Sequence, residues 1–493
     1  MKHYRNLKKL FSEIEVLNSI NSLLEWDMAT VMPKGSRKSR ISQINVVNEN
    51  KKRIFDYIKK KELFKYIDEE KLKDDDKRNF FLMKKKFDYF TAIPINLINE
   101  NSQLSFECEG LWREARLKNN FNIVKKKLSK LFVTIERKAD ILSEIWGMKK
   151  YDSLISLYDD SFTSKELGIF FDDIENFIKK KINLIINKQK KNRKIRFISP
   201  LTENEQFELS KYFMKKFGFD FRRGRIDKSL HPFCGGFRDD IRITTRFDNK
   251  DSFSCFDALM HETGHALYEF GLPKKWKNQP IGSASGMSLH ESQSLFIEMQ
   301  LVKSREFSIF LEKIFRKKFK KNGEEWNCNN LFNIRSEVKK NFIRVDADEV
   351  SYPLHIIHRF NVEKILLDNK KSINDLPDIW NKEFKDIFNL DIKNDNEGCL
   401  QDIHWFSGAF GYFPSYCVGA MISAQIKYVL LNKIDSFKEN IENGDFKKIV
   451  LWLKENIHNY GRKYLINDLL QKTTGKKLTT LFYKKHITDR YIN

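Results

Sequence analysis

From Tyr4 to about Gln189 apolar side chains recur at three- and four-residue spacing, with charged residues filling the positions between them. Leu128, Leu131, Phe132, Ile135, Ala139 and Leu142 form one such run, and they predict one buried face of an α-helix. The tract Lys188 to Lys194, followed by Ile195, Phe197, Ile198 and Pro200, breaks the rhythm and predicts an exposed connection. Helical spacing resumes over Asn204 to Phe217. Between Asp240 and Phe247 the period drops to two. Ile241, Ile243, Thr245 and Phe247 alternate with Arg242, Thr244 and Arg246, the pattern of a strand with one buried face. From Phe253 onward helical patterning returns, interrupted by glycine-bearing stretches near Gly282 to Met287, Asn394 to Gly398 and Gly408 to Tyr416. The expected fold is mainly α, with a small β-sheet set among long helices.

Composition supports that reading, since only 9 Pro and 20 Gly punctuate 493 residues, too few for a many-turned β architecture. The chain carries 90 Lys and Arg against 67 Asp and Glu, a formal charge of +23, which raises nucleic-acid binding as a function class. The lysines are spread along the whole chain rather than gathered in one block, so the expectation is a solvated basic surface with no specific nucleic-acid partner. Cys108, Cys234, Cys255, Cys328, Cys399 and Cys417 form no C-x-x-C pair, which argues against a disulfide scaffold and fits a reducing compartment. Ser12, Glu13 and Glu15 stand where a signal peptide needs an apolar run, and no window approaches the roughly 18 apolar residues of a membrane span. A soluble, cytoplasmic protein without a membrane partner is expected.

The strongest chemical signal is His261-Glu262-Thr263-Gly264-His265, an H-E-x-x-H motif inside a helical pattern. Asp251 or Ser252 can cap the start of that helix, and Gly271 with Pro273 supplies its stop. Residues four apart are neighbours on a helix, so His261 and His265 can share one divalent ion, typically zinc. Glu262, one residue round, would reach a metal-bound water instead and serve as its general base. A third ligand is needed with one position left open. Ser288-Leu289-His290-Glu291-Ser292-Gln293 opens a further helix and offers Glu291, with Glu298 two turns on as the alternative. Glu269 is expected to orient a metal-bound histidine or to face solvent.

Several motifs recur in an order that resembles one family, the carboxypeptidase Taq type of zinc metallocarboxypeptidases. They are His231-Pro232-Phe233, Asp240-x-Arg242-x-Thr244, the H-E-x-x-H segment, His290-Glu291-Ser292-Gln293, and Ile343-Arg344-x-x-Ala347-Asp348. Gly398-x-x-Gln401-Asp402-x-His404-Trp405 and Gly411-Tyr412-Phe413-Pro414-Ser415-Tyr416 follow, with Trp26-Asp27 and Trp112-x-x-Ala115-Arg116 upstream. The resemblance implies an all-helical zinc-peptidase fold with a deep substrate groove and a small sheet beside the active helix. It also implies a homodimer, and one Zn2+ per chain, replaceable by Co2+ or another divalent metal, held by His261, His265 and Glu291. The implied activity is removal of C-terminal residues from peptides with broad specificity, Glu262 acting as base and proton shuttle. Residues 1–493 then read as one peptidase domain, with a helical N-terminal part to about 190, a catalytic core over about 225–425 and a helical part over about 426–493. One departure is Cys234 after His231-Pro232-Phe233, where a small hydroxyl residue is expected and a thiol brings sensitivity to oxidation.

An exopeptidase must hold the free carboxylate of its substrate, and a guanidinium does so bidentately. Arg344 is the first candidate, the competing reading being a structural ion pair with Asp346 or Asp348. Arg344 also separates this activity from an endo-acting oligopeptidase built on the same metal site. For the charge that develops on the attacked carbonyl the candidate donors are His404, Tyr416 and Tyr412, in that order, with core packing an equal expectation for Tyr412. Asp240, Arg242 and Thr244 are expected to position substrate from a strand that pairs with the extended peptide. His231 and His290 are expected beside the site without binding the metal.

Overall fold

The computed structural model describes residues 2–229, 232–248, 251–368 and 371–493. Helices take 69% of the chain, which places the fold in the mainly α class. Eight come first: α1 (Lys2–Ala29), α2 (Arg37–Lys60), α3 (Asp74–Ala92), α4 (Ile95–Leu117), α5 (Asn122–Trp146), α6 (Lys150–Ile155), α7 (Ser164–Gln189) and α8 (Glu203–Phe217). Strands β1 (Gly224–Lys228), β2 (Phe233–Phe237) and β3 (Asp240–Thr245) then interrupt the helices. Beyond the sheet lie α9 (Ser254–Gly271), α10 (Met287–Leu295), α11 (Arg305–Ile314), α12 (Cys328–Arg335), α13 (Tyr352–Asp368), α14 (Leu376–Phe388) and α15 (Pro414–Lys433). Four short helices close the chain: α16 (Phe437–Glu442), α17 (Lys447–Asn456), α18 (Ile466–Thr474) and α19 (Leu481–Tyr491). Among the described residues no helix is long and apolar enough to cross a membrane.

Local chemistry sets the helix ends. Both α7 and α8 begin with a reciprocal capping box, Thr163 with Glu166 and Thr202 with Glu205, which satisfies two otherwise unpaired N–H groups at each start. Along α5 the predicted stripe Leu128, Leu131, Phe132, Ile135, Ala139 and Leu142 is buried as one face. The helix stops at Gly147, whose φ of 62° is left-handed. The expected strand is β3, ending at Thr245 rather than Phe247. It lies in the middle of the sheet, parallel to β1 and antiparallel to β2.

Apolar packing is continuous from Leu104 on α4 to Tyr491 on α19, while Tyr4, Leu7, Phe11, Phe55, Phe80 and Met83 give α1 to α3 a small core of their own. Helix α9 lies inside the large core and is buried on most of its circumference. It starts where Asp251 accepts the N–H groups of Phe253 and Ser254 at 2.9 and 3.1 Å. It ends at Gly271, where a Cβ would stand 2.6 Å from the His458 side chain. Two further glycines bring neighbouring helices close. A Cβ on Gly264 would fall 2.4 Å from the Gln293 carbonyl of α10, and one on Gly419 of α15 would fall 2.9 Å from the Glu291 side chain.

Phe213 of α8 anchors α9 from outside, with its ring against Phe256 of α9 and Phe307 and Phe310 of α11 at centroid distances of 5.4, 4.9 and 5.6 Å. Its side chain is fully buried. Truncating such a ring leaves a cavity between three helices, so Phe213→Ala should cost about 3–5 kcal/mol, seen as a lower urea midpoint at unchanged slope. An unshifted midpoint would show that this cluster does not hold α9 in place.

Candidate metal centre

A buried helix cannot carry free polar groups, so each polar side chain in the middle of α9 must find a partner. His261 and His265, one turn apart, both turn Nε2 toward Glu291 of α10, at 3.8 and 3.5 Å from its two oxygens. The three ligating atoms lie within 4.8 Å of one another. These separations are long for hydrogen bonds. They are close to the roughly 3.4 Å between donors arranged tetrahedrally around an ion with bonds of about 2.1 Å. Two imidazoles and a carboxylate are the donor set of a hydrolytic divalent-metal site, and the residues therefore fit such an ion.

The opposite nitrogen of each ring is fixed. His261 Nδ1 bonds Glu298 Oε2 at 2.9 Å, and the other Glu298 oxygen takes the Lys303 ammonium at 2.8 Å. Glu298 sits on a π-helical segment, Phe296–Val302, that continues α10. It thus braces His261 from behind, while Glu291, and not this sequence alternative, faces both Nε2 atoms. His265 Nδ1 lies 2.7 Å from His290 Nδ1 and 3.1 Å from the His290 carbonyl. His290 Nε2 in turn meets Glu269 at 3.0 Å. Glu269 therefore reaches His265 through His290 and does not face solvent unpaired. Such contacts fix the ring orientation of a ligating histidine and raise its basicity.

The electrostatics call for a cation. Burial pulls the His261 imidazole down, but Glu291 and Glu298 outweigh it and raise its pKa to about 10. His265, buried and beside His290, is lowered to about 4. Glu262 is raised to about 7, chiefly by burial, which His261 counters and Glu291 reinforces. Burial also opposes the charge on Glu298, yet Lys303 and His261 hold it down near 2. Carboxylates thus crowd two imidazoles of which only one readily takes a proton, and a divalent ion would supply the missing positive charge.

Next to this acidic cluster lies a basic one. Asp402 receives Arg344 Nε at 2.8 Å on one oxygen and Arg359 Nε at 2.6 Å on the other, and all three side chains are buried. Arg344 thus has an ion-pair partner, but it is Asp402, neither Asp346 nor Asp348. Asp348 instead caps the turn into α13 by accepting the N–H groups of Val350 and Ser351. One carboxylate between two guanidiniums leaves a buried surplus of positive charge. Arg344 also touches the Tyr352 hydroxyl at 3.2 Å and the Tyr416 ring at 5.3 Å. Tyr416 stands one turn before Gly419, the residue that packs on Glu291, so α15 joins the two clusters. His404 Nε2 bonds the Tyr416 hydroxyl at 3.2 Å, its Nδ1 is buried without a protein partner, and burial with Arg344 nearby lowers its pKa to about 3. Tyr412 stacks edge-on against Tyr416 at 5.3 Å. Burial and the Glu291 charge keep its hydroxyl protonated.

The strand residues have other duties. Both edges of β3 are already paired, so it cannot add a peptide strand; the outer strand beside α9 is β2. Arg242 pairs bidentately with Asp240, at 2.9 and 2.8 Å, and lies over the Trp26 ring of α1 at 4.4 Å. Thr244 accepts the Phe233 N–H at 3.0 Å. Cys234 lies on β2, half-buried, and burial with the charges of Glu262 and Glu269 pushes its thiol far up. His231 lies outside the described residues. Sequence reasoning gave no role to Arg359, Asp402, Gly264 or Gly419. The signal available for Arg359 was a knot of polar residues, His355, His358 and Arg359, within the apolar run from Pro353 to Phe360.

Comparison with known proteins agrees with this geometry. Residues 6–491 match the family described as carboxypeptidase Taq (M32) metallopeptidase. Carboxypeptidase 1 of Bacillus subtilis is 31% identical over 489 residues, covering 98% of this chain and 97% of that protein. Thermostable carboxypeptidase 1 of Pyrococcus furiosus is 29% identical over 490 residues, with 98% and 97% covered. Trypanosoma cruzi metallocarboxypeptidase 1 superposes with a TM-score of 0.96 at 29% identity, over 100% of both chains. The chain belongs to the carboxypeptidase Taq (M32) family of metallopeptidases and is a metal-dependent carboxypeptidase, a hydrolase acting on peptides.

Proposed function

We propose that His261, His265 and Glu291 hold one Zn2+ per chain, with Co2+ able to replace it, and that the enzyme removes C-terminal residues from peptides with broad specificity. The observation that carries this reading is the adjacency of two oppositely charged clusters, a donor set facing one point and a buried pair of arginines sharing one carboxylate. When bound there, the ion acidifies a water molecule and polarises the scissile carbonyl. Glu262 takes the proton of the attacking water and delivers it to the leaving amine. Arg344 receives the terminal carboxylate of the peptide, with Arg359 leaving Asp402 too little negative charge to neutralise both guanidiniums. His404, Tyr416 and Tyr412 provide hydrogen-bond donors to the oxyanion. Asp240, Arg242 and Thr244 act at one remove, bracing the sheet against α1 and leaving β2 as the strand that lies along the peptide.

The family resemblance further supports a homodimer, a single peptidase domain over 1–493 and a deep substrate groove. The six cysteines are unpaired, which supports placement in the cytoplasm.

Time-resolved mass spectrometry of a peptide with a free carboxylate and of its amidated twin tests the activity. A ladder losing one C-terminal residue at a time from the free peptide only, abolished by chelation and restored by zinc, is expected. Internal cuts in both peptides would replace this reading with that of an oligopeptidase.

Glu262→Gln should lower kcat by about 10²–10⁴-fold or more while zinc content, measured by mass spectrometry of the purified protein, stays at one per chain. Loss of the metal would instead make Glu262 part of its binding. Arg344→Gln should reduce kcat/KM for the free-carboxylate peptide by about tenfold or more, and leave an ester-capped analogue at its low wild-type rate. Equal losses on both substrates would assign Arg344 to structure alone.

A further inference from the structure

Away from the reacting groups, the ends of α11, α12, α15, α16 and α19 enclose a cavity of about 610 Å³. Its volume falls in the range of small-molecule sites. Lys427 of α15 lies in its wall, roughly 16 Å along the helix from Tyr416. Among the described residues its ammonium forms no ion pair; it donates to His486 Nδ1 at 3.3 Å, while His486 Nε2 is held by Glu349 at 2.7 Å. Burial and the nearby Arg490 lower the Lys427 pKa to about 7.

The charges around the cavity do not balance. Arg490 is paired with Glu349 at 2.8 Å and Lys438 with Glu306 at 3.6 Å, and Asp489 accepts the Tyr428 hydroxyl. Of the other cations in the lining, Lys188 donates to the Ile492 carbonyl at 2.5 Å and to the terminal Asn493 oxygen at 3.4 Å, whereas Arg305, with no carboxylate partner among the described residues, donates to the Asn329 side-chain oxygen at 2.7 Å. The lining also has an apolar part, formed by Phe332, Leu431 and Phe437 with the Tyr428 ring. A half-buried ammonium that faces a cavity without a carboxylate partner is an arrangement that an anion would relieve.

We propose that this cavity binds a small organic anion, its carboxylate or phosphate head seated on Lys427 and its aromatic or aliphatic body against Tyr428, Leu431 and Phe437. Arg305 in the same lining adds a second positive charge for the head, and the apolar part of the wall excludes a bare inorganic ion as the best occupant.

The test pairs calorimetric titration with reductive methylation, read by peptide mass spectrometry and normalised to the exposed Lys71. The probes are 3-phenylpropionate, phenyl phosphate and the uncharged 3-phenylpropanamide. At millimolar concentration one or both anions should slow methylation of Lys427 at least severalfold, and the amide should not. Lys427→Met should weaken that anion about tenfold and Lys427→Arg by about threefold or less, with peptidase activity as the check that each variant is folded. Protection readings on the wild-type enzyme stand even if a variant fails to fold. No protection by either anion, equal protection by the amide, or unchanged affinity in a folded Lys427→Met would overturn the proposal.

Discussion

Two buried helices have to meet closely enough for side chains from both to face one point, and the contact at Gly264 makes this possible. In the H-E-x-x-H segment the fourth residue has no catalytic duty, yet any Cβ there would strike the α10 backbone at Gln293 and Ser294. Close approach at that position brings Glu291 opposite His261 and His265. Gly419 does the same from the other side, bringing α15 and its Tyr416 onto the stem of Glu291. Close backbone approach is a steric condition, and the charged chemistry is arranged on top of it.

Around this contact the charges are sorted by sign. Glu262, Glu291 and Glu298 gather on the α9 and α10 side, while Arg344 and Arg359 gather where α13 meets the 398–405 segment. Each zone is unbalanced by itself: in the first, three carboxylates outnumber the Lys303 ammonium, and in the second, two guanidiniums share one carboxylate. Under the proposed function a peptide end would bring its own carboxylate to the second zone and a metal its own positive charge to the first. Such preorganised charge deficits have a stability cost in the free protein and a gain when the ligands arrive.

Much of this was legible in the chain because helical positions repeat. The spacing of His261 and His265 fixes their common face, and the cap at Asp251 and the stop at Gly271 fall where local rules put them. The third donor required a tertiary contact, so Glu291 and Glu298 were both open until the backbone showed one facing both Nε2 atoms and the other behind a ring. The sheet was half visible. β3 alternates cleanly, but β2 reads Phe-Cys-Gly-Gly-Phe, half-buried at every position, and leaves no period to detect. Reading β3 alone made it an open strand; its two partners make it a closed one. Asp402 was quoted within a motif, but its sharing between Arg344 and Arg359 joins positions 43 and 58 residues apart, beyond any local pattern.

The surplus of +23 belongs to a different level of the molecule from the chemistry. Most surface lysines and arginines are either solvated or in exposed pairs, such as Lys52 with Asp56 and Lys71 with Asp68, which contribute little. What distinguishes Arg344 and Arg359 is burial, since removing water turns an ordinary cation into one that must be answered by a neighbour, and Lys427, half-buried in a cavity wall, is a milder case of the same kind. For Arg359 and Arg344 the answer is one shared aspartate, and for Lys427 it is a neutral imidazole. Net charge therefore says little about recognition in this protein. The informative quantity is the local imbalance where water is excluded, as at Arg344 and Arg359, whose two guanidiniums share the single carboxylate of Asp402.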